Sequence, residues 1–292
     1  MAKGYVLYNP LAGDKRGGED AELLQYVLEE PLEFYDITRI TNYSAFLSGL
    51  ERDDYLVLMG GDGTLNRFVN DTRGCSMARK ILCFPTGTGN DFAADLVHEA
   101  FDSPFSIAPY LKALPTVEVK GKTYCFLNGV GFGMDGYCCQ EGDRRRKSAR
   151  KKINYGLIAV QGLLFRYDPR NARVTVDENV YEYENVWIAP TMHGRFYGGG
   201  MMPAPQQDRT SESLSLMVFH GAGRLRTLCS FPGIFSGQHV KHTNLVAIHQ
   251  GRRITVEFDR PTPLQIDGET VLNVTSYTAR APEGAGNSKE VL

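Results

Sequence analysis

Three glycines surround a single aspartate directly after an apolar run, and this arrangement could bind the phosphates of a nucleotide. The apolar run covers residues 56–59, and Gly60, Gly61, Asp62 and Gly63 follow it. Glycines have no Cβ, so the backbone can adopt positive φ and approach a ligand closely. Their amides, with the start of a following helix, form a donor surface for anionic oxygens. A turn from strand to helix without a ligand is the alternative interpretation.

Two more loops follow apolar runs of strand length. Residues 81–84 lead into Pro85 and a Gly-Thr-Gly-Asn segment, and residues 6–8 lead into Asn9-Pro10. In a doubly wound sheet, the carboxyl ends of parallel strands lie at one edge, where ligands bind. The sequence therefore predicts that three loops meet at one site. Within it, Asp62 would repel phosphate unless it holds Mg²⁺ or orients the loop.

The motifs along the chain resemble those of the diacylglycerol kinase catalytic-domain family, which includes bacterial soluble lipid kinases and the sphingosine and ceramide kinases. The resemblance covers nearly the whole chain. Its segments, in the order of the family, are Asn9 to Gly13, Gly60 to Thr64, Pro85 to Ala93, Phe126 to Asp135, Gly198 to Ala204, His239 to His242 and Asp267 to Glu269.

The resemblance implies a set of site residues. The residues that would line the nucleotide are Asn9, Gly60, Gly61, Asp62, Gly63, Thr64, Asn66, Arg67 and Thr88, joined by Thr38 or Thr41. The acceptor of the hydroxyl proton would be Asp267 or Glu269, with Glu269 slightly favoured. Local sequence alone favours a hairpin turn for this tripeptide, and the resemblance reverses that interpretation. Asp135 either faces the substrate hydroxyl or caps a loop.

Two metal sites are implied. Asp62 would hold Mg²⁺ beside the nucleotide. Bacterial members usually carry Asp-Gly before a strand of the type at residues 214–219, and that aspartate helps to hold a structural metal. This chain lacks the Asp-Gly pair there, so Asp208 or Glu212 would have to substitute.

Composition limits the location and the partners. The formal net charge is −2, which gives no global electrostatic case for nucleic acid. No secretory signal and no apolar stretch near the roughly 20 residues of a spanning helix is present. Six cysteines without a Cys-x-x-Cys pair are typical of a reducing cytosol. We expect a cytoplasmic protein that visits the membrane surface to reach a lipid substrate; a homodimer is left open.

A basic cluster follows the glycine-rich stretch that ends at Asp135. It contains Lys or Arg at seven of the positions 144–152. The cluster is interpreted as a solvated loop and helix face, as an attachment point for anionic lipid, or as a source of ATP-phosphate ligands.

The pattern of predicted secondary structure changes near Leu114-Pro115. Strands alternate with helices before this point, which predicts an α/β doubly wound, Rossmann-like domain over residues 1–115. Short β-rich segments follow, which predict a mainly antiparallel β-sandwich domain over residues 116–292, interrupted by one helix at 153–166. We expect the active site in the cleft between the two domains.

The leading functional interpretation is an ATP- and Mg²⁺-dependent kinase that phosphorylates the hydroxyl of a diacylglycerol-like or sphingoid-like lipid. NAD kinase is one alternative, because its members share the Gly-Gly-Asp-Gly-Thr motif and the two-domain plan. A nucleotide-responsive lipid-binding protein without turnover is the other.

Overall fold

The fold was described from a computed structural model, which covers residues 2–10, 12, 17–87, 89–97, 103–148 and 155–283. The chain divides into two compact units, Met1–Ala113 and Leu114–Leu292. Across the described ranges, no helix is both long enough and apolar enough to span a bilayer.

The first unit is built on a sheet with the strand order β2-β1-β3-β4-β5. The strands are β1 Gly4–Tyr8, β2 Leu32–Asp36, β3 Tyr55–Gly60, β4 Lys80–Pro85 and β5 Phe105–Ser106. Strands β1 to β4 run parallel, and the short β5 pairs antiparallel with β4. The helices are α1 Gly17–Leu23, α2 Tyr43–Ser48, α3 Asp62–Asp71, α4 Asp91–Leu96 and α5 Ala108–Leu111, with 3₁₀ turns at Leu24–Tyr26 and Ile37–Arg39.

Strand β3 is the centre of this sheet, and all six of its residues are buried. A strand covered on both faces needs a continuous apolar run, which the sequence supplies. Val57 and Met59 pack with Val6 and Leu82 from the neighbouring strands. The chain order reverses between β1 and β3, and ligands of doubly wound sheets bind at such a switch point.

The second unit is dominated by antiparallel strands in the order β13-β12-β11-β8-β14-β15-β6-β7, with β9 and β10 joined through β14. The strands are β6 Thr116–Val119, β7 Lys122–Cys125, β8 Gly129–Phe132, β9 Arg170–Val176, β10 Asn179–Val186, β11 Thr191–Met192, β12 Leu214–Phe219, β13 Val246–Gly251, β14 Arg253–Ile266 and β15 Glu269–Arg280. The helices are α6 Met134–Ser148, α7 Tyr155–Gln161 and α8 Arg224–Ser230. A π-helical turn at Gly162–Arg166 and 3₁₀ turns at Phe231–Ser236 and Gln238–Lys241 complete the unit.

The long strand β14 organises the core of the second unit. It pairs with β9 through its first residues and with β8 through its last, while β15 follows it along the other side. Register shifts between Glu257 and Leu264 bend the β14–β15 ribbon, as bulges do. Phe132 stacks on Phe258 with ring centroids 4.1 Å apart, which fixes β8 against β14. The predicted fold class, a parallel α/β domain followed by an antiparallel sandwich-like domain, is confirmed.

Candidate active site

The loops after β3 and β4 touch through their backbones. A Cβ on Gly87 would lie 2.5 Å from the Cα of Gly61, and one on Gly61 would lie 2.9 Å from the Cα of Gly87. The amide of Thr86 donates to the carbonyl of Gly60 at 3.0 Å. Only glycine allows the backbones of the two loops to approach this closely, so both loops require glycine for packing.

Asp62 joins the two loops from the other side. Its carboxylate oxygens accept hydrogen bonds from the amides of Asp91 at 2.9 Å and Phe92 at 2.8 Å. These amides belong to the first turn of α4, whose orphan donors need acceptors. Asn90, at the N-cap position in left-handed geometry, makes no side-chain capping bond. Asn and Asp are the residue types that most often cap a helix from the N-cap position, but here Asp62, distant in the chain, supplies the cap.

The first loop of the chain reaches the same place. The side-chain amide of Asn9 donates to the hydroxyl of Thr64 at 2.9 Å, and the amide of Asn9 donates to the carbonyl of Met59 at 3.1 Å. Because β1 and β3 flank the switch point of the sheet, this contact spans it. We call the residues Asn9, Gly60–Thr64 and Thr86–Asn90, without the undescribed Thr88, the loop cluster.

The loop cluster has features that suit an anionic ligand. Gly63 is exposed, and a Cβ placed there would meet no atom of the described residues within 4 Å. Helix α3 has ten residues and begins at Asp62. The amides of its first turn have no acceptor within the helix and point out of its N-terminus, where the helix dipole is positive. The hydroxyl oxygen of Thr86 and the amide oxygen of Asn90 are buried, and neither has a hydrogen-bond partner among the residues that the structure describes. Polar atoms in that condition are rare in folded proteins, and a bound ligand is one explanation for them.

The other predicted nucleotide residues lie in varied surroundings. Asn66 is buried in α3, whereas Arg67 is exposed and pairs with Asp71 at 3.5 Å. Thr38 donates to Asp36 at 2.6 Å just after β2, and Thr41 is exposed before α2. Thr88 lies outside the described residues.

In the second unit, Asp267 and Gly268 form the tight turn between β14 and β15. Both residues have positive φ, 45° and 94°, which suits an Asp-Gly hairpin of two residues. The Asp267 carboxylate accepts hydrogen bonds from the amides of Leu127 at 2.5 Å, Asn128 at 2.8 Å and Gly129 at 2.9 Å. The turn therefore binds the segment that leads into β8, and Asp267 is its central acceptor.

Glu269 has a different environment two residues later. It is exposed at the start of β15, opposite Ile266, and its carboxylate has no hydrogen bond or ion pair with any described residue. The two carboxylates, of which sequence analysis slightly favoured Glu269, thus differ in their bonding. Asp267 is engaged by backbone amides, and Glu269 is exposed to solvent.

A buried arginine supports the same segment. Arg209 donates to the carbonyl of Leu127 and, at 2.9 Å, to the side-chain oxygen of Asn128. His193 is buried beside it, and its amide donates to the carbonyl of Asn128 at 2.9 Å. Burial lowers the pKa of His193 to about 3, and the nearby Arg209 charge adds to this effect. Sequence reasoning missed Arg209, because a lone arginine in a polar loop carries no local signal. We call Leu127–Gly129, Arg209 and Asp267–Glu269 the turn cluster.

Asp135 lies at the start of α6, next to β8. A Cβ on Gly131 would fall 1.5 Å from one of its carboxylate oxygens, so the glycine leaves the space that this carboxylate fills. Gly136 donates its amide to Asp135 at 2.9 Å, and the Tyr197 hydroxyl donates at 3.3 Å. Burial raises the pKa of Asp135 to about 6, although both hydrogen bonds oppose the rise.

The predicted metal ligands have other partners in this structure. Asp208 is exposed, and its carboxylate accepts from the amide and hydroxyl of Thr210 at 2.8 Å and 2.7 Å. Glu212 pairs with Arg252 at 2.9 Å. Among the residues with described positions, no group of three or more His, Cys, Asp or Glu side chains could hold a metal ion. A structural metal at Asp208 stays a prediction that this geometry does not favour.

Both units match known family models. Residues 3–114 match the diacylglycerol kinase catalytic domain. Residues 128–284 match the YegS C-terminal NAD kinase beta sandwich-like domain. The chain belongs to the diacylglycerol kinase catalytic-domain family and carries the YegS type of C-terminal domain.

Its similarity to individual proteins extends over most of the chain. "Putative lipid kinase YtlR" of Bacillus subtilis strain 168 is 23% identical over 97% of this chain and 98% of that protein. "Putative lipid kinase SaurJH9_0749" of Staphylococcus aureus strain JH9 is 25% identical over 75% of this chain and 72% of that protein. A crystal structure described as a putative diacylglycerol kinase from Bacillus anthracis Sterne superposes with a TM-score of 0.67 at 19% identity, covering 96% of this chain and 91% of that one. That likeness shows a shared fold.

Proposed function

We propose that this protein is an ATP- and Mg²⁺-dependent kinase that phosphorylates the hydroxyl group of a lipid. Family membership and the names of its full-length relatives support this proposal. A cytoplasmic location with visits to the membrane surface is part of the same proposal.

The observation that carries the proposal is the construction of the loop cluster. Close packing explains why Gly61 and Gly87 must be glycine. It does not explain Gly63, because a Cβ at Gly63 would meet no atom of the described residues within 4 Å. A phosphate can approach a helix N-terminus closely where a residue of the first turn has no side chain, and Gly63 in the first turn of α3 meets that requirement. We therefore assign the ATP phosphates to Gly61–Thr64 and the start of α3.

The chemistry of the bound nucleotide would depend on a metal ion. Mg²⁺ usually binds through one or two carboxylates together with the phosphates and water, so a complete protein cage is not needed. Asp62 carries the carboxylate of the loop cluster, and its role as a Mg²⁺ ligand is part of the proposal. Bound Mg²⁺ would neutralise charge on the transferring phosphoryl group.

We assign the proton acceptor to Glu269. Phosphoryl transfer to an alcohol needs a carboxylate that receives the hydroxyl proton as the bond forms. Asp267 cannot serve equally well, because its two oxygens accept three backbone amides. Asp267 instead holds the turn that presents Glu269.

The proposal is tested by incubating the purified chain with γ-labelled ATP, Mg²⁺ and one acceptor at a time. The acceptors are diacylglycerol, monoacylglycerol, a sphingoid base and NAD⁺, and the product is identified by mass. We expect label in a lipid phosphate with the wild-type chain and almost none with Glu269→Gln. Label in NADP⁺ would make the protein an NAD kinase. Nucleotide binding without transfer to any acceptor would indicate the non-catalytic lipid-binding alternative.

A further inference from the structure

Two neighbouring helical segments of the second unit expose large apolar side chains. In α7 and the π-helical turn after it, Phe165 is 78% exposed, and Leu157 and Val160 are also exposed. In α8 and the 3₁₀ turn after it, Leu225 is 74% exposed, and Phe235 is also exposed. The opposite sides of these segments are buried through Ile158, Leu163, Thr227 and Ile234. Each segment thus packs through one side and presents apolar groups on the other.

Arg224 fixes the two segments beside each other. Its guanidinium donates to the carbonyls of Leu163 at 3.0 Å and Tyr167 at 2.9 Å, and pairs with Asp168 at 2.7 Å. Leu225 is the next residue, and Phe165 lies between the two carbonyls in the sequence. We call Leu157, Val160, Phe165, Leu225 and Phe235 the apolar ridge. Single exposed apolar residues are ordinary, but a group of them on adjoining elements is typical of an interaction surface.

Basic residues predominate in the chain segments that carry the ridge. No Asp or Glu occurs between Asp143 and Asp168, or between Glu212 and Glu257, although the chain has 34 acidic and 32 basic residues in all. The ridge lies within these two acid-free stretches. Arg166 and Arg226 are exposed beside ridge residues, and Asp168 is paired with Arg224. The ridge segments therefore combine exposed apolar groups with exposed arginines.

We infer that the apolar ridge docks on the surface of an anionic lipid bilayer. Such a bilayer offers an apolar interior to Phe165 and Leu225 and negative head groups to the arginines. It therefore matches both the apolar and the basic side chains of this surface. A second copy of the chain fits less well, because a two-fold interface would place the same positive charges against each other. This inference rests on the proposed function for its purpose, since a lipid kinase must reach a substrate held in the bilayer.

The basic cluster at the end of α6 has a smaller part in this inference. Arg144 and Arg145 bind Glu141, and Arg146 lies 3.7 Å from Asp143, so these arginines cover their own helix. The remaining basic residues of the cluster have no described side chains. Docking is therefore assigned to the ridge.

Vesicle binding tests the inference without ATP or turnover. The full chain is sedimented with vesicles of phosphatidylcholine alone and of phosphatidylcholine mixed with phosphatidylglycerol. We expect binding to the mixed vesicles that weakens with salt but does not vanish, because exposed charges are screened and apolar insertion is not. Phe165→Ser and Leu225→Ser should each lower the partition coefficient about tenfold, since each removes most of one inserted side chain. Val180→Ser, an exposed apolar residue of β10 outside the ridge, is the control and should bind like wild type.

Two results would overturn the inference. The first is a failure in vesicle binding: the wild-type protein does not bind the mixed vesicles, or the ridge variants bind them as well as Val180→Ser does. The other is a wild-type dimer in sedimentation velocity that Phe165→Ser and Leu225→Ser convert to monomer while vesicle binding stays unchanged, because the ridge would then be a contact between copies.

The failure of docking can be separated from the failure of the proposed function. With a short-chain diacylglycerol dispersed in solution, the ridge variants should turn over at the wild-type rate and lose activity only on vesicles. Glu269→Gln should bind vesicles normally and lack turnover in both assays. A chain that binds vesicles through the ridge yet transfers phosphate to no lipid would refute the kinase proposal and leave the docking inference in place.

Discussion

The loop cluster and the turn cluster are built in the same way but leave different groups available. In each, one aspartate uses both carboxylate oxygens to hold backbone amides: Asp62 holds the start of α4, and Asp267 holds the entry to β8. In each, an exposed position follows within two residues, at Gly63 and at Glu269. The available group is backbone in the first cluster and a carboxylate in the second.

This difference separates binding from chemistry. Backbone amides at a helix start recognise anionic oxygens but cannot accept a proton. A free carboxylate repels phosphate but can accept the proton of an alcohol. The comparison therefore supports our proposal that the nucleotide binds at the loop cluster and that the turn cluster accepts the proton. It also explains why the aspartate of each motif should affect stability more than its neighbour does.

The largest expected effect is that of Glu269→Gln. Loss of a general base typically lowers kcat about 10²–10⁴-fold, while the KM for ATP should stay near the wild-type value. Stability should change by less than about 0.5 kcal/mol, because the side chain is exposed. The kinetics of Glu257→Gln, an exposed glutamate of β14, provide the control. Equal activity of the two variants would remove Glu269 from catalysis.

Asp267→Asn should reduce stability by about 2–3 kcal/mol, because an amide group can replace only one of the two accepting oxygens and leaves a buried donor unpaired. Urea unfolding followed by circular dichroism measures the loss. Asp177→Asn is a matched control, since Asp177 also has positive φ but accepts the amides of Arg252 and Arg253 through one oxygen. If both variants lose equal stability, the three-amide arrangement at Asp267 is not what stabilises the turn.

The pH dependence of stability should report Asp135. Its folded pKa of about 6 lies above the unfolded value near 3.9, so the folded state binds the proton more tightly. The stabilisation is complete below pH ~4 and is lost as the pH rises through ~6, by at most about 3 kcal/mol. Asp135→Asn should abolish this decline in urea-unfolding series between those pH values. A decline that persists unchanged in the variant would assign it to other groups.

Gly63→Ala should have only a small effect on stability, and it gives the clearest distinction between packing and binding. Alanine favours a helix over glycine by about 1 kcal/mol, and nothing in the protein opposes its Cβ, so the melting temperature should rise slightly. The KM for ATP should rise because the methyl group enters the space assigned to phosphate. Gly61→Ala should instead destabilise the fold through its contact with Gly87. An unchanged KM in Gly63→Ala would place the phosphates elsewhere.

The sequence predicted what local patterns determine. Strand β3 and the strand Leu214–Phe219 coincide with apolar runs of the sequence, the glycine loop follows the first of these runs, and the structure has all three at these positions. Helix α6 was missed because glycines and a polar, basic composition conceal its helical period. Strand β8 was also missed, since its alternating glycines resemble a ligand loop.

The roles of the two aspartates could not be predicted, because their partners are distant in the chain. Asp62 binds amides 29 and 30 residues away, and Asp267 binds amides 138 to 140 residues away. A local motif identifies a carboxylate beside a turn, but only the fold decides whether backbone donors occupy it. The same reason explains why Arg209 was not recognised.

Amide hydrogen exchange at Leu127, Asn128 and Gly129 tests the central claim most directly, because these donors distinguish the structural aspartate from the available glutamate. The account predicts that Asp267→Asn accelerates exchange at all three amides, whereas Glu269→Gln leaves them as protected as in the wild type. Protection that survives in Asp267→Asn, or is lost in Glu269→Gln, would contradict the division of roles between the two carboxylates.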